Sequence, residues 1–384
     1  MVESIAVPAA LVRAADAYRD WMWNAALPFW ATTGRDPAGH GFVEHLTLDG
    51  VPADVPYKRM RVQARQIYVY ANAALLGWPG AIEAAHVGYA FITRHGWLPE
   101  GGWARRLGRA GGVLDPVCDL YDHAFVLFAL AWYARATGSA EALDWAWRTL
   151  DWLELRMRAP EGGFWNTVPR EPGFRQQNPH MHLLEAALAL YETSRETRAL
   201  GFVAELIDLF RRRFFDEATG TLGEFFTDDW RPAPGEAGGH VEPGHHYEWV
   251  WLLRRYADAS GVDLSAHEDR LYRFAGRHGI AGSGFVVSIL DRDGALRDGA
   301  CRLWAQTEAV KAHLAMRERT GLDVGETIEA LVRAMLGGHL AHQPRGTWID
   351  ILDPAGKPAV DKIPASSFYH LFMAFAELER AVRG

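Results

Sequence analysis

Cysteine is scarce in this chain of 384 residues, in which only Cys118 and Cys301 occur. The two lie far apart in the sequence and lack the close spacing of metal-binding thiols, so a disulfide framework and a cysteine-built zinc site are excluded. Both thiols are expected to be buried side chains.

Long apolar runs, basic stripes and glycine-rich phosphate loops are also missing. No segment is apolar for long enough to span a bilayer, and the start of the chain (Met1-Val2-Glu3-Ser4) lacks the layout of a signal peptide. The net charge of -8 comes from interspersed acidic and basic residues, which argues against a nucleic-acid partner. We therefore expect a cytoplasmic protein with neither a nucleic-acid nor a membrane partner.

Helical periodicity dominates what is present. Hydrophobic residues make up 49% of the chain and aromatic residues 12%, which is ample material for a large core. Alternating short and long connections separate the helical segments, and the long ones cover roughly 20–30 residues, a length that is unusual unless a loop is functional or structured. Twelve helices are predicted, at about 8–28, 60–77, 80–95, 119–137, 140–158, 180–195, 198–215, 245–260, 265–278, 303–320, 323–340 and 366–383.

The long connections share a glycine followed by aromatic or β-branched residues and a turn, a pattern that predicts small β-hairpins. About six copies of a unit of some 60 residues result, and units that cannot bury their own apolar faces must stack on one another. We predict an all-α (α/α)6 barrel, a toroid of six helix pairs that forms a single domain over residues 1–384, with hairpins in the long loops on one face. The clearest hairpin candidates are 41–50, 163–166, 222–226, 284–294 and 346–353.

Ionisable residues recur near the starts of the helices that follow long loops. In a toroid those starts meet on one face, so a central polar pocket is predicted there. At the most distinctive start, Asn178 is a plausible helix cap, Pro179 suits the first helical position, and His180 and His182 fall in the first turn. The predicted pocket residues are Arg65, Asp122, His123, His182, Glu185, His245, Glu248, Glu308 and His370.

Two other chemistries could use these residues. A divalent metal could bind the histidines and carboxylates, but no helix has the His-x-x-x-His pairing of a dedicated ligand helix, so no metal is expected. Glycoside cleavage needs two acids that flank the bond, and Asp122, Glu248 and Glu308 could supply them, although the histidines would then have no role. Of the 16 tryptophans, Trp249 and Trp304 are the best candidates for stacking on a sugar ring.

Six motifs together resemble those of the N-acylglucosamine 2-epimerase superfamily, and the resemblance extends over essentially the whole chain. Within the superfamily they look most like the D-mannose isomerase branch. In the tryptophan motif, Ala305 stands where the family often has proline, a departure that bears on loop shape and substrate preference. The motifs are Arg61-Val62-Gln63-Ala64-Arg65-Gln66-Ile67-Tyr68, Tyr121-Asp122-His123-Ala124-Phe125, Asn178 through Glu185, Gly244-His245-His246-Tyr247-Glu248-Trp249, Trp304-Ala305-Gln306-Thr307-Glu308 and Phe368-Tyr369-His370.

The resemblance implies an (α/α)6 barrel and metal-independent isomerisation or 2-epimerisation of a sugar through a cis-enediolate, without a cofactor. His245 and His370 match the general acid/base pair, and His182 matches a third histidine that assists ring opening or binds the sugar. Arg65 matches the arginine that steadies the enediolate, and Glu248 the partner of His245. Asn178, Trp304 and Glu308 are expected at the substrate.

The main expectation is an isomerase that interconverts D-mannose and D-fructose as a monomer or homodimer. Histidine suits this reaction because its pKa lies near neutrality, and a fixed arginine can stabilise the enediolate. A 2-epimerase acting on mannose, cellobiose or an N-acylglucosamine stays open. So does a non-catalytic binding protein, because one member of the superfamily is known as a renin-binding protein.

Overall fold

The structure is a computed structural model that describes residues 7–38 and 40–383. Residues 1–6, on which the expectation about a signal peptide rests, lie outside the described residues, as do Gly39 and Gly384. No helix in the described ranges is long and apolar enough to cross a membrane.

The chain is mostly helical, and the predicted helices are found with shifted ends. The first extends beyond its predicted end because a π-helical turn, Met22–Ala26, joins α1 to α2, and a similar turn, Phe210–Phe214, extends α8. The helices are α1 (Ala9–Trp21), α2 (Leu27–Thr32), α3 (Met60–Leu75), α4 (Ala81–His95), α5 (Leu120–Thr137), α6 (Ala140–Arg156), α7 (Gln177–Ser194), α8 (Thr197–Leu209), α9 (Glu236–Gly239), α10 (Pro243–Ser260), α11 (Ser265–His278), α12 (Leu303–Thr320), α13 (Gly325–Gly337) and α14 (Phe368–Arg383).

Helices α3, α5, α7, α10, α12 and α14 form an inner ring, which closes where α14 packs against α3. Each packs against one outer helix, namely α4, α6, α8, α11, α13 or, for α14, α1. The sequence pattern explains the two layers, because α5 buries residues on all its faces whereas α11 buries only Glu268, Leu271 and Ala275, which lie on one face. The predicted helical barrel is confirmed.

Short strands connect the long loops on one face of the barrel. The strands are β1 (His45–Leu46), β2 (Tyr57–Arg59), β3 (Arg106–Gly108), β4 (Val113–Asp115), β5 (Cys118–Asp119), β6 (Thr167–Val168), β7 (Arg175–Gln176), β8 (Phe215–Asp216), β9 (Thr221–Leu222), β10 (Phe225–Phe226), β11 (Ile289–Leu290), β12 (Leu296–Asp298), β13 (Cys301–Arg302), β14 (Ile351–Leu352) and β15 (Ile363–Pro364).

The segment just before each inner helix pairs antiparallel with the next long loop. This gives the pairs β2 with β3, β5 with β6, β7 with β10, and β13 with β14. Before α10, the equivalent pairing is a single bridge between Val241 and Leu290. β15 pairs with β1, so that the last unit joins the first. The pairing between loops therefore closes a second ring above the helices.

The prediction of a hairpin inside each long loop is not confirmed. Strands within 41–50 and 346–353 pair with other loops, and each also makes a local antiparallel bridge, Leu46 with Pro52 and Leu352 with Pro358. β11 with β12 and β8 with β9 form local pairs. The glycine-rich runs therefore pair both within their own loop and across units.

The fourth residue of five inner helices holds the preceding loop by side-chain hydrogen bonds. In α7, the Nδ1–H of His180 donates to the Gln176 carbonyl over 2.8 Å, and its Nε2 accepts from the Phe164 N–H over 3.0 Å. His123 and His246 bind Trp103 and Leu222 in the same way. In the equivalent positions, Gln63 accepts from the N–H of Phe42 and Gln306 from the N–H of Val286.

Replacing His180 tests this loop anchor. In His180→Leu the buried Phe164 N–H has no acceptor, so we expect the free energy of unfolding to fall by about 1–3 kcal/mol. The matched control is His180→Gln, which places glutamine where Gln63 and Gln306 stand in other units and is expected to lose clearly less. Urea denaturation measures both variants, and equal stability of the two would contradict the anchor.

Candidate active site

A polar cavity of about 480 Å³ opens where the inner helices begin. Many lining residues occupy the same position in different helix units. The second residue of the inner helix lines the cavity in four units, with the last unit counted from Ala365: Tyr121, Asn178, Trp304 and Ser366. The sixth residues of the six units are Arg65, Phe125, His182, Glu248, Glu308 and His370, and four of them line the cavity. The predicted central pocket is thus present.

His245 lies at the cavity wall, and its partner differs from the expected one. Its Nδ1–H donates to Glu224 Oε1 over 2.9 Å, while Glu242 Oε2 is 4.0 Å away. The expected partner Glu248 instead lies 3.7 Å from His182 Nδ1. Glu224 comes from the loop before α9, so no helical spacing in the sequence indicated it.

The charge of His245 follows from these carboxylates. Burial alone would lower its pKa, but the negative charges of Glu224 and Glu242 raise it to about 10. Glu224 is itself fixed, because Gln177 donates to its Oε2 over 2.8 Å and Trp249 donates to Gln177 over 2.8 Å. His245 is therefore an imidazolium at neutral pH.

His370 is held by a carboxylate but is neutral. Its Nδ1–H donates to Glu308 Oε1 over 2.9 Å, which leaves Nε2 without a proton. Burial, followed by the positive charge of Arg65, lowers the pKa of His370 well below its usual value. Glu308, expected at the substrate, is fully buried and does not line the cavity; it orients His370 instead.

His182 and Glu248 form the floor of the cavity. His182 Nδ1 lies 3.1 Å from Glu185 Oε2, which also accepts from the Tyr369 hydroxyl over 2.5 Å. Burial lowers the pKa of His182 to about 4, so this imidazole is neutral at pH 7. Burial and the neighbouring Glu308 raise the pKa of Glu248 well above its usual value, and neither of its carboxyl oxygens has a hydrogen-bond partner.

Arg65 provides a fixed positive charge at the wall. Its guanidinium donates to the Tyr121 hydroxyl over 2.7 Å and to the Ser366 carbonyl over 3.2 Å, and it lies 4.1 Å from the centre of the Phe125 ring. Its Nε is buried and has no partner. The side chain is thus held in place with donor capacity to spare.

The two expected sugar contacts Asn178 and Trp304 both line the cavity. Asn178 is the second residue of α7 and not its cap, because β7 runs directly into the helix, and its Oδ1 is free of protein partners. Trp304 contacts both catalytic candidates, with ring centres 4.9 Å from His245 and 5.8 Å from His370. Trp249 cannot stack on a sugar, because it is fully buried against Phe210.

Asp122 and His123 were expected in the pocket but lie outside the cavity lining. Asp122 accepts from the backbone N–H and the guanidinium of Arg61, and His123 holds the loop at Trp103. Both side chains are fully buried and support the fold.

Three groups of side chains in the described residues have potential ligand atoms within 4.8 Å of one another. His245 is protonated and Glu308 already contacts the Lys311 ammonium at 2.6 Å, so two of the groups are poorly suited to a divalent cation. We assign no metal ligands, and metal independence stays a prediction. The groups are His182 with Glu185 and Glu248, Glu224 with Glu242 and His245, and Glu248 with Glu308 and His370.

Several cavity-wall and supporting residues were missed by the sequence analysis. Tyr121 and Ser366 were discoverable, because each is the second residue of its unit, as Asn178 and Trp304 are. Glu242 directly precedes α10 and contacts the ring of His245. Glu224 carries no local signal, since its importance arises only from contacts with other elements, whereas Lys311 stands three residues after Glu308 on α12, a spacing that indicates an ion pair.

Comparison with known proteins identifies a matching family and several similar proteins. The N-acylglucosamine 2-epimerase (GlcNAc 2-epimerase) family model matches residues 41–374. A mannose-6-phosphate isomerase of Rhizobium meliloti is 36% identical over 94% of this chain and 96% of its own length. A D-mannose isomerase of Thermobifida fusca is 29% identical over 93% of each chain. The structure of a cellobiose 2-epimerase from Spirochaeta thermophila superposes with a TM-score of 0.85 and 26% identity over 97% of each chain.

The fold is that of a helical-barrel protein with a polar cavity lined by histidines, arginines and carboxylates. The chain belongs to the N-acylglucosamine 2-epimerase family, which the match over most of its length shows. Its relatives include both sugar isomerases and sugar epimerases.

The paired carboxylates near His245 predict a pH dependence. A raised pKa means that the proton on His245 is present below about pH 10 and is lost above it. In Glu224→Gln one of the two nearby charges is removed, so the alkaline limb of kcat/KM should move down by roughly 1–3 pH units. Glu268→Gln, a buried carboxylate paired with Arg319 away from the cavity, is the matched control. An alkaline limb that does not move in Glu224→Gln would contradict this account.

Proposed function

We propose that this protein is a sugar isomerase that interconverts D-mannose and D-fructose through a cis-enediolate, without a metal or other cofactor, with the chain acting as one catalytic domain. The observation that carries the proposal is the opposite protonation of the two imidazoles beside Trp304. His245 carries a proton to give, and His370 has a free Nε2 to receive one. Acid and base are thus present together at neutral pH.

The proton steps follow from these states. His370 Nε2 removes the proton from C2 of the open-chain aldose, and His245 protonates O1, which yields the enediol. His245, now deprotonated, then takes the proton from O2, and His370 returns its proton to C1, which gives the ketose and restores both imidazoles. The negative charge that develops beside His370 raises its basicity as the reaction proceeds.

Charge on the enediolate oxygens needs fixed positive groups. Arg65 has an unpartnered Nε, and the positive ends of six inner helices converge on the cavity. His182 and Asn178 complete the wall and are suited to bind sugar hydroxyls or to assist ring opening. Glu248 can form a hydrogen bond with the sugar, because its oxygens have no protein partner.

A 2-epimerase remains the first alternative, because the epimerase relatives share the barrel. An epimerase delivers a proton to the opposite face of C2, and the second histidine would then be the C2 acid. The names of the isomerase relatives at 36% and 29% identity favour isomerisation.

A phosphorylated sugar is a second candidate substrate, and one feature favours it. Arg59, Arg302 and Lys362 stand among the residues that line the cavity. Arg59 and Lys362 are already near Glu44 and Asp361, so Arg302 is the better group for a phosphate. The Rhizobium meliloti relative is named for mannose 6-phosphate.

A product assay tests the proposal directly. Purified protein given D-mannose should form D-fructose, with D-glucose at most a slow side product, and treatment with EDTA should leave the rate unchanged. Mannose 6-phosphate and cellobiose are run in parallel, and products are separated by chromatography. Glucose as the main product would indicate an epimerase, and no turnover of any sugar would indicate a binding protein. Activity that EDTA removes and zinc or manganese restores would contradict the metal-free mechanism.

Histidine variants test the assignment of roles. His245→Ala and His370→Ala should each lower kcat by roughly 10²- to 10⁴-fold, because each removes a positioned acid or base. His123→Gln is the matched control, since His123 is equally buried but only holds a loop, and it should turn over near the wild-type rate. Circular dichroism confirms folding in each case, and near-normal turnover in either alanine variant would rule out its role.

A further inference from the structure

Beneath the cavity, Lys311 is completely buried in α12. Its ammonium contacts Glu308 Oε2 at 2.6 Å, and it lies 3.2 Å from Met373 Sδ and 4.1 Å from the centre of the Trp251 ring. The other oxygen of Glu308 accepts from His370. Lys311, Glu308 and His370 therefore form one chain that leads from the protein interior to the cavity.

Buried carboxylates surround this ammonium. Glu185 from α7 and Glu248 from α10 act on Lys311 electrostatically in addition to Glu308. Burial raises the pKa of Glu308, and the charge of Lys311 opposes that rise. The titratable or charged groups that act in this cluster are Arg65 from α3, His182 and Glu185 from α7, His245 and Glu248 from α10, Glu308 and Lys311 from α12, and Tyr369 and His370 from α14.

We propose that Lys311 is a positioning residue that keeps Glu308 ionised and thereby fixes His370 as the tautomer with its free nitrogen toward the substrate. The inference deepens the proposed function and rests on it where it concerns turnover. Lys311 does not line the cavity and acts only through Glu308.

The tautomer depends on the charge of Glu308 for a chemical reason. An ionised carboxylate can only accept, so Nδ1 of His370 must carry the proton and Nε2 is free. A protonated Glu308 can instead donate to Nδ1, which moves the ring proton to Nε2 and removes the base. A buried carboxylate without a nearby cation protonates readily, because burial disfavours its charged form.

Lys311→Met removes the charge and keeps an unbranched apolar side chain. We expect kcat/KM at pH 7 to fall at least about tenfold, and at most by the roughly 10²- to 10⁴-fold that a positioned base contributes. Because the pKa of Glu308 rises without Lys311, the acid limb of the pH profile should move to higher pH. An unchanged profile would overturn the proposal.

A double-variant cycle separates this role from a merely structural one. In Glu308→Gln the amide oxygen can still accept from His370 without a cation, so adding Lys311→Met should change kcat/KM little further. Equal losses from Lys311→Met in both backgrounds would show that Lys311 does not act through Glu308. Lys58→Met removes a similarly buried ion pair, with Asp36, outside the main cavity; it should lower stability without moving the acid limb.

Nitrogen NMR of selectively ¹⁵N-histidine-labelled protein tests the inference without turnover. The His370 signal, assigned by its loss in His370→Ala, should report a proton on Nδ1 in the wild type and on Nε2 in Lys311→Met. The same tautomer in both would overturn the role of Lys311. A changed tautomer in a protein that turns over no sugar would instead contradict only the proposed function.

Discussion

The site depends on one constraint, the closed ring that the pairing between loops forms above the helices. Each segment before an inner helix pairs with the next long loop, and β15 returns to β1, so all six helix starts are tied to one another. Five fourth-position side chains then hold the loop that precedes each helix. Four second-position and four sixth-position residues therefore line one cavity, although consecutive units lie about 60 residues apart in the sequence. This geometry explains why a repeat of helices can build a site from single residues of each unit.

Burial alone would make every histidine in the cavity neutral. His182 and His370 follow that expectation, but two carboxylates next to His245 outweigh burial and keep it charged. His370 also has a carboxylate partner, yet Arg65 and Lys311 offset the negative charge near it. The difference between the two imidazoles thus comes from the second carboxylate near His245 and from the cations near His370, and not from the first hydrogen-bond partner alone. For stability, the raised pKa of His245 contributes fully below its unfolded pKa of about 6.5, and this contribution is lost as the pH rises toward 10.

Periodicity in the sequence was sufficient for the barrel and for the histidines and Arg65 of the cavity wall. His182, His245, His370 and Arg65 were located by their recurrence near helix starts, a signal that survives without any knowledge of contacts. The partner of His245 was not predictable, because Glu224 lies in a long loop with no distinguishing pattern. For the same reason, Glu248 was wrongly predicted as the partner of His245. Asn178 was also wrongly predicted as a helix cap. The predicted hairpins are not confirmed, and local turn patterns did not reveal that loop strands also pair with neighbouring loops.

Fixed cations in the cavity support the proposed reaction without a metal. Aldose–ketose isomerisation needs positive charge near O1 and O2, and a metal ion is one way to supply it. Here Arg65 is held by Tyr121 and Ser366, and His245 is charged by Glu224 and Glu242. Both groups are oriented before substrate arrives, so little reorganisation is needed when the enediolate forms. Lys311 adds a third positive charge below the cavity. It is too deeply buried to touch substrate, but in the proposed role it acts through Glu308 to determine which nitrogen of His370 carries the proton. Since an ammonium occupies one carboxylate at 2.6 Å, a divalent cation at the same carboxylate would meet repulsion as well as attraction.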